Sequence, residues 1–457
     1  MSGRGRPRGR PHRGPRPAPD RVASVPAASG PIELIIERPV AGGRMLARAD
    51  GRVVLVAGAI PGETVRARIE RVERGVAFAR VEAVLTPSPD RREPFFDAAC
   101  GGGVYAHVEP ARQVALKREV IVDGLRRGAG ITWEQPLAVA ASPERGYRLR
   151  ARLHVRDGRI GFFKEGTHVL CDAAPSAQLD AATLDVAHRL VDGLGAVFGA
   201  SSAESLEVSE NLDGSERTVH LHPIDRALVG TTLPASLAAR LLVDGLTGLS
   251  VATSGSGATT LAGDPRVGDD LARIVRGAPP GIRLCRHAAS FFQGNRFLVA
   301  ALTQAVVDAV PGDGPVWDLY AGVGLFAAAL CATGRDRVTA VEGDPVSAAD
   351  LRANAADVGG RLDVEARSVE DVLARTPLPA DATVIVDPPR TGLSKAVTAA
   401  LAASAARRIV YVSCDVATLA RDLKVLAASG FALVSIEGFD LFPNTAHVET
   451  LAVLARR

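Results

Sequence analysis

Cys414 stands in Tyr411-Val-Ser413-Cys414-Asp415, just after an apolar run that reads as a strand and just before a stretch with helical periodicity. Amides at the start of a helix stabilise a thiolate and lower a thiol pKa from its free value of about 8.5, so this position predicts a nucleophile. Of the five cysteines, Cys100, Cys171, Cys285, Cys331 and Cys414, only the last falls at such a strand end. The competing reading is a small buried hydrophobe. Farther on, Phe442-Pro443-Asn444-Thr445-Ala446-His447-Val448-Glu449-Thr450-Leu451 reads as a turn running into a strand, with residues 445, 447 and 449 on one strand face. A Thr, a His and a Glu aligned in apolar surroundings are costly to bury without a purpose, the alternative being the solvated face of an edge strand. Asp387-Pro388-Pro389-Arg390 follows another apolar run, and its two prolines hold a carboxylate and a guanidinium stiffly at a strand end. A thiol and a proton acceptor in one crevice suit covalent catalysis.

A second set of residues suits a nucleoside ligand. Asp318-Leu-Tyr320-Ala-Gly322-Val-Gly324-Leu-Phe-Ala327 opens on the run Val316–Leu319, and Glu342 ends the next run. The glycines allow a tight turn and close backbone approach, the helix beyond offers free amides, and Glu342 can accept from ribose hydroxyls. Gly322-x-Gly324-x-x-Ala327 also satisfies a dinucleotide fingerprint, so these features alone leave a methyltransferase and a dehydrogenase both open. The rigid carboxylate at Asp387 favours the methyltransferase, because a nicotinamide enzyme has no use for it there.

The elements that must position these residues are legible from periodicity. Apolar runs ending at Val316–Leu319, Val338–Val341, Val384–Val386 and Ile409–Val412 alternate with helical segments 324–333, 345–356, 394–406 and 415–428. That is the rhythm of an α/β, doubly wound, mostly parallel Rossmann-like sheet, predicted over 286–457, whose ligands bind beyond the carboxyl ends of the strands. Over 30–90, IELIIERPV, GRVVLVAG, TVRARIERV and AFARVEAVL alternate with period two between Gly42-Gly43, Asp50-Gly51 and Pro61-Gly62 turns, which predicts a small OB-like β-barrel. Residues 91–285 read as a central α+β domain, with a helix over Arg112–Arg127, a hairpin across Asp157-Gly158 and a helix at about 178–198. Pattern alone locates no chemistry in it.

Composition narrows the class. The 457 residues are 47% hydrophobic and 23% charged, which excludes a wholly disordered chain, and the 4% aromatic share argues against a stacking-rich carbohydrate binder. No run of about 18 uncharged apolar residues appears, so no membrane span is expected. The odd number and wide spacing of the cysteines exclude a disulfide framework and a CxxC zinc ribbon, and point to a reducing cytoplasm. Residues 1–29 hold seven arginines and one acid among many Pro and Gly, so they read as a disordered basic arm that either attracts nucleic-acid phosphates or has no specific role.

Gly42-Gly43 and Val56-x-Gly58-x-x-Pro61-Gly62-Glu63 resemble the TRAM domain, an OB-like barrel that accompanies RNA-modifying enzymes. Phe291-Phe292-Gln293-x-Asn295, Asp318-Leu-Tyr320-x-Gly322-x-Gly324-x-Phe326, Asp387-Pro-Pro-Arg390, Ser413-Cys414 and Phe442-Pro-x-Thr445-x-His447-Val-Glu449 occur in the order of the RNA 5-methyluridine methyltransferase family, which the chain resembles over most of 31–457. The resemblance implies methyl transfer from S-adenosylmethionine to carbon 5 of a uridine in RNA, without a metal. Carried over motif by motif, Gln293, Tyr320, Gly322, Gly324, Glu342 and Asp387 would contact the donor. Cys414 would be the nucleophile, Glu449 the proton acceptor, and Asp387, Arg390 and His447 would meet the uracil.

The chemistry is coherent. Carbon 5 of uracil is too weak a nucleophile for a sulfonium, thiolate addition at carbon 6 makes it nucleophilic, and a base must afterwards remove the carbon-5 proton. The barrel favours ribosomal over transfer RNA, and a cytoplasmic monomer is expected. Alternatives are a catalytically silent RNA-binding or assembly factor and a methyltransferase for another substrate. Two departures stand out. Val416 replaces the family's usual Pro two residues after the nucleophile. Pro94 and Gly103 replace two of the four cysteines with which some members hold an iron–sulfur cluster, leaving Cys100 and Cys171, so no cluster is expected.

Overall fold

The computed structural model describes residues 30–199, 203–223, 233–253, 257–312 and 314–457; the basic arm of residues 1–29 lies outside them. Strands β1 (Ile32–Pro39), β2 (Met45–Ala49), β3 (Arg52–Ala57), β4 (Thr64–Glu73) and β5 (Val76–Thr86) close a barrel in the order β1-β2-β3-β5-β4. The turn between β2 and β3 needs two left-handed residues in succession, and Asp50 (φ 48°) and Gly51 (φ 74°) supply them. Inward residues such as Leu34, Ile36, Val54, Val56 and Val65 fill the barrel, joined from outside by Tyr105, Val108 and Leu116.

Leu116 belongs to α1 (Pro110–Gly124), which continues as a π turn over Leu125–Ala129 and leads to the short strand β6 (Val139–Ala140). The sequence groups these residues with the central segment. They pack instead on the C-terminal sheet: Val120, Ile121 and Leu125 join its core, and β6 pairs in parallel with its strand Phe431–Phe439. The approach is close enough to require glycine, since a Cβ on Gly124 would lie 2.4 Å from Val416 Cγ1 and one on Gly128 2.7 Å from Ala420 Cβ.

The central sheet is built from β7 (Arg150–Arg156), β8 (Arg159–Phe163), β9 (Leu170–Asp172), β10 (Ala203–Glu210), β11 (Arg217–Pro223), β12 (Leu246–Ala252) and β13 (Ala258–Gly263), in the order β13-β12-β11-β10-β7-β8-β9. Helices α2 (Ala181–Phe198) and α3 (Ala235–Leu241) cover its apolar face. The β7–β8 hairpin turns at Asp157 and Gly158, as its sequence predicts. Strands β14 (Arg266–Asp270) and β15 (Arg283–His287) form a separate pair.

One sequence expectation fails here. Cys100 and Cys171 form a disulfide. Their 71-residue separation concealed a local cause: the backbone bond from Gly101 N to Phe163 O and the antiparallel pairing of Phe162 with Cys171 set the two thiols side by side.

The C-terminal sheet comprises β6, β16 (Val316–Leu319), β17 (Val338–Val341), β18 (Leu362–Glu365), β19 (Thr383–Val386), β20 (Arg408–Ser413), β21 (Phe431–Phe439) and β22 (Glu449–Arg456), in the order β18-β17-β16-β19-β20-β22-β21-β6. The first five are parallel and β22 is antiparallel between β20 and β21. Strands β16 and β19 are buried along their whole length because helices cover both faces. Those helices are α4 (Val299–Ala309), α5 (Leu325–Ala332), α6 (Pro345–Asp357), α7 (Val369–Arg375), α8 (Lys395–Ala403) and α9 (Val416–Ala428). The strand order reverses between β16 and β19, so the crevice beyond their carboxyl ends is where such a sheet binds its ligand. Among the described residues no helix is long and apolar enough to cross a membrane.

Candidate active site

The loop after β16 carries the glycine motif. Gly322 (φ 57°) and Gly324 (φ 90°) are both left-handed, and a Cβ on Gly324 would strike Leu351 at 2.6 Å. Tyr320 shares that conformation (φ 63°) without being glycine, a strained placement of a kind concentrated at functional sites. Gly324 begins α5 with no capping side chain, and Asp318, wholly buried on β16, accepts the Ala327 amide at 3.1 Å in its place. Its Oδ1 has no hydrogen-bond partner. Burial, then the nearby Asp387 carboxylate, pushes Asp318 up to about 8.

Glu342, at the end of β17, accepts from Gly322 N at 2.8 Å and from Asp344 N at 2.6 Å, so it braces the glycine loop from the next strand. Opposite stands the Phe291–Gln293 segment. Asn354 Nδ2 donates to Val323 O and Cys285 O, each at 2.8 Å, and Asp350 accepts from His287 N at 2.7 Å and Ser290 Oγ at 2.6 Å. These contacts fix the approach to that segment against the glycine loop. Phe291, Gln293, Tyr320, Gly322, Phe326 and Asp387 line the resulting narrow cleft. Gln293 donates its amide to Asp387 Oδ2 at 3.0 Å. Burial nevertheless pushes Asp387 up to about 7, the hydrogen bond from Gln293 opposing.

Strand register joins the other candidates to this cleft. Ser413, last on β20, pairs with Thr450 on β22, so Cys414 and Glu449 occupy the next positions of the same antiparallel register. Glu449 is 5% exposed. Burial lifts its pKa well above the ordinary carboxylate range, the Asp387 charge adds to this, and Arg390 opposes it. The Cys414 thiol is pushed up to about 11, first by burial and then by the Glu449 carboxylate, with Arg390 pulling the other way.

The thiolate expected from helix amides is therefore not the ground state. Cys414 precedes the first helical residue by two positions, Asp415 caps the helix by accepting Thr418 N at 2.8 Å, and that carboxylate offsets the positive helix end. Thr445 and His447 also differ from expectation. They lie in the connection before β22, whose first residue is Glu449, so the three do not share a strand face, and β22 is interior rather than an edge. His447 still borders the site: the residue is solvent-exposed, yet partial desolvation by its neighbours lowers its pKa to about 4, with the charges of Arg390, Lys117 and Arg148 adding.

Gln293, Tyr320, Gly322 and Asp387 thus line one crevice whose glycine loop, ending at Gly324, is braced by Glu342; Cys414, Glu449 and Arg390 cluster beside Asp387, and His447 stands near Arg390. Sequence reading missed Asp350 and Asn354, whose helix carries no motif. It quoted Asp318 only as the start of one, although a charged residue in an otherwise apolar strand is a signal in itself. Among the described residues no group of three or more His, Cys, Asp or Glu could hold a metal ion.

Known proteins resemble this chain along most of its length. A family model described as tRNA (uracil-5-)-methyltransferase matches residues 380–457, and the TRAM domain matches residues 32–81. An uncharacterized RNA methyltransferase of Streptomyces coelicolor is 32% identical over 96% of this chain and 96% of its own. The 23S rRNA (uracil(1939)-C(5))-methyltransferase RlmD of Pseudomonas putida is 33% identical over 92% of each chain. The crystal structure of Pyrococcus abyssi tRNA (uracil-54, C5)-methyltransferase in complex with S-adenosyl-L-homocysteine shares the fold, with a TM-score of 0.69 and 23% identity over 92% of this chain and 99% of that one.

Proposed function

Because this chain belongs to the S-adenosylmethionine-dependent RNA (uracil-C5-)-methyltransferases, we propose that it methylates carbon 5 of a uridine in ribosomal RNA through a covalent bond between Cys414 and carbon 6. The observation that carries this reading is the register that makes a thiol and a buried carboxylate neighbours at the mouth of the nucleoside crevice. The ribosomal preference is supported by the relatives of similar length named as 23S rRNA enzymes. An rRNA substrate implies work in the cytoplasm, and a monomer suffices because one chain supplies every group in the site.

The crevice fits the donor. It offers left-handed glycines for close approach and a strand-end carboxylate in Glu342 for ribose hydroxyls. Gln293, Tyr320, Gly322, Gly324, Glu342 and Asp387 would hold it there. Bound S-adenosylmethionine supplies an electrophilic methyl group. The remaining work falls to the chain. His447, whose lowered pKa favours the neutral ring, and Arg390 would hold the polar edge of the uracil, together with Asp387. Cys414 loses its proton to solvent and the thiolate adds to carbon 6, which moves the ring's electron pair towards carbon 4–oxygen as an enolate and makes carbon 5 nucleophilic. After carbon 5 has taken the methyl group, Glu449 accepts the carbon-5 proton, the carbon 5–carbon 6 double bond re-forms, and the sulfur leaves with its electron pair. A carboxylate whose pKa is raised by burial is the stronger base this step needs.

The two roles separate by substitution. Cys414→Ala is expected to give neither adduct nor product. Glu449→Gln keeps the shape but not the base, so addition and methylation proceed while elimination stalls. A denaturant-resistant protein–RNA adduct carrying the new methyl should accumulate and map to Cys414 by mass spectrometry. Normal turnover in Glu449→Gln, or an adduct through another cysteine, would sink the mechanism.

A further inference from the structure

The segment that delivers Glu449 is the connection 440–448 between β21 and β22. Connections ordinarily run over the surface and move more than the elements they join. This one is gripped by side chains more than 300 residues earlier in the chain. Lys117, 1% exposed, donates to the Asp440 carboxylate and, at 3.1 Å, to Phe442 O. Gln113, equally buried, donates to Asn444 Oδ1 at 2.9 Å and accepts Asn444 N at 2.8 Å. Arg92 reaches the same Oδ1 at 2.8 Å, and Tyr105 N donates to Asn444 O at 2.7 Å. Asn444 is thereby held on its amide, carbonyl and side chain in a left-handed conformation (φ 64°).

Gln113 and Lys117 lie one turn apart on α1 and therefore on one face of it. The same helix sends Leu116 into the barrel core, and Val120 and Ile121 into the C-terminal core. The barrel also touches the connection directly, since a Cβ on Gly43 would lie 2.9 Å from Ala446 Cβ. A buried Lys–Asp pair adds little net stability over an apolar pair of similar volume, whereas its geometry is directional.

We propose that α1 is a strut: Gln113 and Lys117 are positioning residues that, through Asn444 and Asp440, set where Glu449 stands against Cys414. The barrel and the base then form one mechanical unit. The proposal rests on the reading of Glu449 as proton acceptor.

The test uses the full-length protein carrying Lys117→Met/Asp440→Leu, and separately Asn444→Gly, which tolerates the left-handed backbone while removing the side-chain anchor. Thermal midpoint, donor affinity, RNA affinity and the decay rate of the methylated adduct are measured for each. The expected result is a near-native midpoint, unchanged affinities and adduct decay slowed at least about tenfold, since a misplacement of 1 Å costs on the order of a hundredfold. Native decay in a folded variant overturns the strut. A fall of both affinities in parallel with the midpoint does so too, because it marks packing alone. If the double variant does not fold, Asn444→Gly carries the same readout. Glu449→Gln, measured alongside, separates the two readings. Normal turnover there sinks the base assignment and the strut with it. Stalled adduct there, with free release in the strut variants, sinks the strut alone.

Discussion

Cys414 and Asp318 show how a side chain's ionisation is set by its surroundings. With the thiol pushed up to about 11, the thiolate fraction at neutral pH is small and grows tenfold per pH unit. The single-turnover methylation rate is accordingly expected to rise with pH between about 6.5 and 8.5, with a slope approaching one on a logarithmic scale. A flat profile in rapid-quench measurements would mean that the thiolate is already formed. Asp318 makes a stability statement. Its pKa rises from 3.8 to about 8 on folding, so between those values the folded state holds a proton that the unfolded state has released. Stability from this carboxyl is therefore lost as pH rises, by up to about 1.4 kcal/mol per pH unit. Asp318→Asn removes the titration, so the stability of the wild type relative to this variant should fall between about pH 4 and pH 8. Thermal or urea unfolding of both proteins across that range checks the sign, and a constant difference would refute it.

At the scale of elements, the contact between α1, its π turn and α9 depends on the absence of two side chains. A methyl group on Gly124 would meet Val416 Cγ1 at 2.4 Å, and Val416 is β-branched and cannot turn away. Gly124→Ala should destabilise by about 1–3 kcal/mol, the ordinary cost of overpacking. Gly124→Ala/Val416→Ala should recover most of that loss, because the second change removes the clashing atom. Urea unfolding of the single and double variants measures the coupling, and additive effects would mean that the helices do not meet as described. The same contact bears on Val416. It opens α9, where Pro would fit the backbone, but here its side chain packs on α1.

Across the whole molecule, the disulfide ties the segment around Cys100, which follows the barrel, to β9 in the central sheet. Closing a loop of 71 residues restricts the unfolded chain, and a bond of this kind contributes about 2–4 kcal/mol. Cys171→Ser, or full reduction, should lower the unfolding free energy by that order while leaving donor binding intact, because neither cysteine lines the crevice. Calorimetry with and without reductant, paired with free-thiol titration, provides the check. Five free thiols in the native, unreduced protein would remove the bond from the account.

The C-terminal architecture and the family motifs were legible because both are written locally. Apolar runs of four to six residues, each closed by a polar motif, place Asp387, Glu342 and Cys414 at strand ends before any coordinate is known. The barrel was legible for the same reason, through period-two alternation and the Asp50-Gly51 turn. What only the tertiary structure decided depends on segments far apart in the chain. The crossing of α1 to the C-terminal sheet, the grip of Gln113 and Lys117 on 440–448, and the pairing of Cys100 with Cys171 leave no local pattern, since each is a contact between residues that sequence spacing does not relate. The titration of Cys414 belongs with these. A helix start predicts a lowered pKa, but the value is set by burial and by two carboxyls brought from other strands, and those exist only once the sheet has formed.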